Sequence, residues 1–322
     1  MLIGPFVHGL VIESFKDRKN GLNDVELGYL ISIGSLSVVC MIPFLVTIFL
    51  VEEKKSYRKN SFPFWEGVKK MVKNKAFMCV MLMFLFAQLS IQFIQNNLIL
   101  FCKYVLDLES WFPYILVCLL GSTIVSLPFW SFMARKIGKK MLFLLGIALL
   151  FIVLCFCFFI PEGKPGEFNL YGCISIFILA GVAGFQLGTI FLIPHAMFPD
   201  VIELDELETG ERREGIFFAF FVFFQKLGLA GAVSISNFIL SFSGFVSSID
   251  DNPDVVQPRA VIYSLKLMIG FIPASILLLS LIPLYFYPIT KEQHAQTLIL
   301  LEKQRMERRH KFSALRRGKD GN

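Results

Sequence analysis

The sequence predicts an all-α membrane protein with about seven transmembrane helices, and three observations carry that prediction. The chain of 322 residues is 55% hydrophobic, with a mean hydropathy of +0.66. Charged residues make up 17% of it, against about 25% in an ordinary soluble domain. Apolar runs also recur at spanning length, since crossing a hydrocarbon layer about 30 Å thick takes about 20 mostly apolar residues. Seven stretches qualify: about 28–51, 76–102, 111–133, 141–160, 170–195, 215–245 and 261–287. Lipid offers backbone groups no hydrogen-bond partners, so each stretch is expected to be helical.

Charge sets the expected orientation. Residues 52–75, 134–140, 196–214 and 288–322 hold 23 Lys and Arg, and the opposite connections hold seven. This bias places the first set in the cytoplasm. It also accounts for the net charge of +6 without a nucleic acid partner. The basic run Arg305 to Arg317 reads as a solvated anchor on that side, with anionic membrane lipid as a second partner. All seven cysteines fall within or beside the spans and none has zinc-ligand spacing. Free thiols are therefore expected, with no metal site, no catalytic residues and no cofactor.

With seven spans and the tail inside, the N-terminus falls outside. Met1 to Ile12 contains Pro5, is too short to cross, and lacks the basic start and cleavage site of a signal peptide. It reads as the outer end of a helix, which makes the chain the C-terminal part of a longer protein. The expected organisation is 1–51 as the end of an N-terminal bundle and 52–75 as a cytoplasmic connector. Residues 76–290 form a six-helix C-terminal bundle and 291–322 a basic cytoplasmic tail. Phe64 to Lys75, at the end of the connector, is amphipathic enough to lie along a membrane surface.

Between two apolar runs, Pro199 to Gly215 (PDVIELDELETGERREG) carries nine ionisable side chains and reads as a charged loop. The block around it, Pro194 to Gly231 (PHAMFPDVIELDELETGERREGIFFAFFVFFQKLGLAG), resembles the glycoside-pentoside-hexuronide:cation symporter family of the major facilitator superfamily. So do FCKYVLDL (Phe101 to Leu108) and YFYPITKEQHAQ (Tyr285 to Gln296). ARKIGKK (Ala134 to Lys140) is similar to the superfamily's basic gate motif after its eighth helix. The resemblance implies a partial major facilitator fold, with the seven spans as helices six to twelve of twelve and Met1 to Ile12 as the end of helix five. It further implies a multi-pass carrier, in the plasma membrane, that moves a sugar or lysophospholipid-type solute by alternating access. Sodium or a proton would be the coupling ion. The family's cation-binding carboxylates lie in its first four helices, so coupling needs the N-terminal half as a partner.

Within that frame, Lys226 is the outstanding residue. It follows eleven uncharged residues inside a span, where an ionised side chain costs about 2.5–3.5 kcal/mol on insertion scales. The resemblance implies that Lys226, with Gln225 beside it, faces the central cavity; the alternative is snorkelling to the membrane edge. Gln88, Gln92, Gln95 and Asn96 recur at i, i+4, i+7 and i+8, placing four amides on one helix face. They suit solute hydroxyls or a headgroup, or equally interhelical amide bonding. Near Gln95 the lysolipid branch of the family carries an acid, a departure that bears on solute specificity. The small residues Ala180, Gly181, Gly184 and Gly188 predict close helix packing.

A cytoplasmic gate is expected from Arg135, Lys139 and Lys140 together with Asp200, Glu203, Asp205, Glu206, Arg212 and Arg213. In rocking carriers such clusters pair when one face closes and part when it opens. Two other readings compete. One is an inactive truncated fragment. The other is a membrane acyltransferase using His195 and Asp200, spaced H-x-x-x-x-D, which Pro199 and the lack of a partner glycine-rich motif oppose.

Overall fold

A computed structural model describes residues 22–50, 64–163, 170–210, 213–246, 257–289 and 291–319. The segment Met1 to Ile12, most of the connector before Phe64, and Arg212 lie outside the described residues. The described chain is helical throughout its regular structure. In order it forms α1 (Leu22–Leu50), α2 (Phe64–Lys73), α3 (Lys75–Tyr104), α4 (Phe112–Ile137) and α5 (Lys139–Phe158). There follow α6 (Leu170–Thr209), α7 (Glu214–Phe242), α8 (Arg259–Ile269), α9 (Phe271–Leu279), α10 (Leu281–Phe286) and α11 (Lys291–Lys319). A 3-10 turn, Glu109–Trp111, leads into α4.

Seven of these segments are long and apolar enough to cross a membrane, with α8 to α10 counting as one interrupted span. They correspond one to one with the seven apolar runs. The interruption in the last span follows its chemistry. Gly270 leaves helical geometry between α8 and α9, and Pro283, which has no N–H, sits just past the second break at Ser280. The amphipathic connector forms α2, and its helix gives way to α3 at Asn74, whose side chain accepts the Phe77 amide at 3.1 Å.

Six spans assemble around α3 and α6. α3 packs on α7 and on the broken last span, and α6 is clasped between α4 and α5. α4 and α5 are joined only by Gly138, whose φ of 93° suits glycine and lets the chain reverse at once. The core has an aromatic-rich cluster at the end carrying Phe77, Phe84 and Phe221, and a second cluster at the other end around Phe101, Leu265 and Met268. α1 shows no buried residue along its spanning window. All seven cysteines are free thiols, as the sequence suggests.

The α4–α6 seam uses the small-residue stripe. At Gly184 a Cβ would fall on the Leu119 carbonyl oxygen, and at Gly188 on the Ser126 hydroxyl. The resulting approach lets Thr123 donate to the Gly184 carbonyl at 2.9 Å and the Trp130 indole to that of Phe185 at 2.7 Å.

Two expectations need correction. The helix read as 170–195 does not end there, and Pro199 does not open a loop. α6 runs 40 residues to Thr209 and stops at Gly210, whose φ is 74°. At 1.5 Å per residue that is about 60 Å, twice the hydrocarbon thickness, so the acidic stretch is a helical stalk beyond the membrane. Pro199 has no N–H to offer the His195 carbonyl four residues before it, yet the helix continues. Beside that gap Lys139 donates to the Ala196 carbonyl at 2.9 Å. The tail is likewise no solvated anchor over its first half. Lys291–Lys319 is helical, Leu301 is buried, and the helix packs on the α6 stalk.

Candidate functional site: an exposed lysine and a charged bundle end

α7 meets α3 through Phe217, Phe221, Gly228, Ala232 and Ser236, all buried. Phe221 stacks on Phe84 with ring centroids 4.1 Å apart, and a Cβ added at Gly228 would sit 3.4 Å from Gln88 Cβ and from the α3 backbone. Lys226 is two residues from Gly228, and at 3.6 residues per turn it falls on roughly the opposite side of α7. It is exposed there, about 18 Å along the helix from Glu214, close to mid-span. Among the described residues no hydrogen bond or ion pair satisfies its ammonium. Gln225 is half-buried beside it.

The four amides of α3 separate by environment. Gln88 is packed in the seam with α7, Gln92 and Asn96 are half-buried, and Gln95 is exposed. No hydrogen bond joins any of them to Lys226 among the described residues. The buried amide that fastens these helices is Asn97, next to the singled-out Asn96. Its Nδ2 donates to Ser236 Oγ at 2.9 Å and to the Phe93 carbonyl at 2.8 Å. Ser90 adds a donor to the Pro273 carbonyl at 2.8 Å, tying α3 to α9. Neither role was visible in the amide spacing, because both partners are remote in sequence.

At the basic end, charge is organised around the α6 stalk. Lys139 reaches Asp200 at 2.6 Å and 2.7 Å, joining α5 to α6. Lys140 donates to the carbonyls of Tyr285 and Tyr287 at 3.0 Å and 3.1 Å, which anchors α5 to the end of the last span. Arg213 lies 3.3 Å from Asp205, so the start of α7 is bound to the stalk. Two partners from the tail were missed in the sequence. His294 lies 3.0 Å from Glu203 and 3.2 Å from Asp200, and Arg305 grips both oxygens of Glu206 at 2.7 Å and 3.2 Å. The Glu206 carboxylate holds the Arg305 guanidinium above its ordinary pKa range. Arg135 lines a groove beside this cluster.

Asp200, Glu203 and His294 place ligand atoms within 4.8 Å of one another, but Lys139 already compensates Asp200. His195 Nδ1 lies 2.7 Å from the Phe191 carbonyl, and its ring packs 5.0 Å from Phe221. Asp200 is thus engaged by Lys139 and not by His195, so the pair does not form the base-and-orienter arrangement an acyltransferase needs.

The fold agrees with what comparison with known proteins shows. A family model described as MFS/sugar transport protein matches residues 2–291. The chain belongs to that family. Its members are transporters, which sets the enzyme reading aside. An uncharacterized symporter of Synechocystis is 32% identical over 73% of this chain and 42% of its own length. A sodium-dependent lysophosphatidylcholine symporter of Gallus gallus is 29% identical over 89% of this chain and 53% of its own length. A sphingosine-1-phosphate transporter of Xenopus tropicalis is 28% identical over 87% and 53%. The chain spans about half the length of the curated relatives it matches. It is an integral, multi-pass member of the major facilitator superfamily.

The family frame makes the tail contact testable. Glu206 is buried and Arg305 is its bidentate partner. Removing the guanidinium leaves a buried carboxylate short of donors, a loss of about 1–3 kcal/mol. Arg305→Ala is expected to release α11 from the stalk and to speed limited proteolysis within 291–319 about tenfold or more. Unchanged cleavage would show that Leu301 and its apolar neighbours hold the helix without the ion pair.

Proposed function

We propose that this chain forms the C-terminal bundle of a cation-coupled symporter, which moves an amphiphilic or sugar-type solute by alternating access. The N-terminal bundle, outside this sequence, would supply the coupling-ion carboxylates and the other wall of the cavity. The observation that carries the reading is Lys226. It is a cation near mid-span on the face of α7 turned away from α3, with no partner among the described residues. Such a residue is costly in lipid and marks a water-filled path or a partner carboxylate. Lys226 would bind the anionic group of the solute or a carboxylate of the other bundle. Gln95, exposed on α3, and Gln225 are the amides best placed to add hydrogen bonds.

Relatives named for lysophosphatidylcholine and sphingosine-1-phosphate support a phosphate-bearing lysolipid as solute, and those named sodium-dependent support sodium as the coupling ion. In this reading the pairs at the basic end, which lies in the cytoplasm, act within the bundle. Lys139–Asp200, Arg213–Asp205 and Arg305–Glu206 tie α5, α6, α7 and α11 into one body that rocks as a unit. Uptake into vesicles by the protein extended upstream of Met1 tests the reading, with labelled lysophospholipids and sugars offered with and without a sodium gradient. Gradient-driven uptake of one class is expected. Failure of a folded, inserted protein to take up either would contradict it.

Lys139 gives a second test at the basic end. Asp200 is buried and Lys139 contributes its closest cation. Lys139→Ala is expected to lower the thermal stability of the purified chain, since stripping one partner from a buried pair costs about 3–5 kcal/mol at full burial and less here, where Lys139 is partly exposed. Lys139→Ala with Asp200→Asn should recover much of that loss. If the double variant is no more stable than Lys139→Ala, the pair is not what holds α5 to the stalk.

A further inference from the structure

A groove of about 960 Å³ opens at the basic end between the α4–α5 junction, α6 and the end of the last span. It has two chemistries. Its mouth carries Arg135, Lys136, Lys139 and Lys140 against two carboxylates, Asp200 and Glu292. Lys139 is spent on Asp200, but Lys140 binds only neutral carbonyls, so its charge meets no carboxylate among the described residues. α5 begins here at Lys139 with no side chain capping its N-terminus, and its first amides add partial positive charge to the same mouth. The walls are apolar and turned outward: Met141, Leu144 and Tyr285 are all exposed.

From this geometry we propose that the groove binds an anionic phospholipid of the adjacent leaflet. The lipid phosphate lies among Arg135, Lys136 and Lys140, and an acyl chain runs down the wall formed by Met141, Leu144 and Leu281. The match is one of charge and of depth. Arg135 and Lys136 lie in the last turn of α4 and Lys140 in the first turn of α5, which puts them at headgroup level when both helices span. None of its lining residues belongs to α3 or α7, so it is separate from the solute path proposed above and does not depend on it. Its lipid would hold α4, α5 and α10 together at one end, as a fixed component of the bundle.

Native mass spectrometry of the 322-residue chain reads this directly, using phosphatidylglycerol and phosphatidylcholine of identical acyl chains. Phosphatidylglycerol is expected to be retained at least about fivefold better, given the pull of two or three cations on one anionic headgroup. Arg135→Gln with Lys140→Gln should remove that preference while leaving phosphatidylcholine retention unchanged. Arg135→Gln with Lys136→Gln, both on α4, should do the same without touching the Lys140 contacts to Tyr285 and Tyr287. Lys103→Gln with Arg259→Gln, at the other end of the bundle, should keep the preference. Equal retention of the two lipids overturns the proposal. So does an equal loss in the Lys103 and Arg259 variant, which would mean diffuse charge. Displacement of phosphatidylglycerol by millimolar inorganic phosphate would assign the mouth to free phosphate instead of lipid.

Discussion

Gly184→Val is expected to destabilise the bundle severely. A Cβ at this position lands on the Leu119 carbonyl oxygen of α4. Backbone cannot swing aside as the tip of a side chain can, so α4 and α6 must separate. That separation also breaks the Thr123 bond to Gly184 and strains the Trp130 bond to Phe185. Overpacking alone costs about 1–3 kcal/mol, and the lost hydrogen bonds add to it. The purified variant should melt well below the parent or fail to elute as a single species. Gly181→Ala supplies the contrast, because its Cβ would meet Cys118 Sγ at 3.7 Å and Ser122 Oγ at 3.8 Å, ordinary contacts. Equal stability of the two variants would show that the helices can part at Gly184 without loss.

The second large effect is on transport. Lys226→Ala is expected to reduce solute uptake by the complete carrier about ten- to a hundredfold, the scale of losing one hydrogen bond to a charged group in a desolvated site. Its stability should hardly change, because Lys226 is exposed and no hydrogen bond or ion pair of its ammonium is found among the described residues. Lys226→Arg should retain part of the activity if the partner is a phosphate or carboxylate, both of which guanidinium binds. A fall in uptake matched by an equal fall in folded protein would instead give Lys226 a structural role.

Much of this was legible in the chain because the signals were local. Apolar runs of spanning length marked each transmembrane helix, and the amphipathic pattern from Phe64 to Lys75 marked α2. A lone cation inside a Phe-rich run singled out Lys226. The stripe Ala180, Gly181, Gly184 and Gly188 announced a close helix contact, which the fold makes with α4. What escaped detection depends on long-range contacts. The stretch from Pro199 looked like a loop, but α6 continues through it to Thr209, with Lys139, 61 residues away, paired to Asp200 on the same stalk. The tail looked like a free basic anchor, since its pairing with the stalk joins His294 to Glu203 across 91 residues and Arg305 to Glu206 across 99. The amide pattern on α3 selected Asn96 and passed over Asn97, whose partner Ser236 lies 139 residues on. A spacing rule finds which residues share a face, not which neighbour that face will meet.

The central claim is that the outer face of α7 around Lys226 lines a solute path. The most direct test is to place a single cysteine at position 226 in a cysteine-free version of the complete carrier. A membrane-impermeant thiol reagent is then applied to sealed vesicles with and without solute. The account predicts labelling from the aqueous phase and protection by transported solute. No labelling from either side, in a protein that still folds and inserts, would place residue 226 against lipid and contradict it.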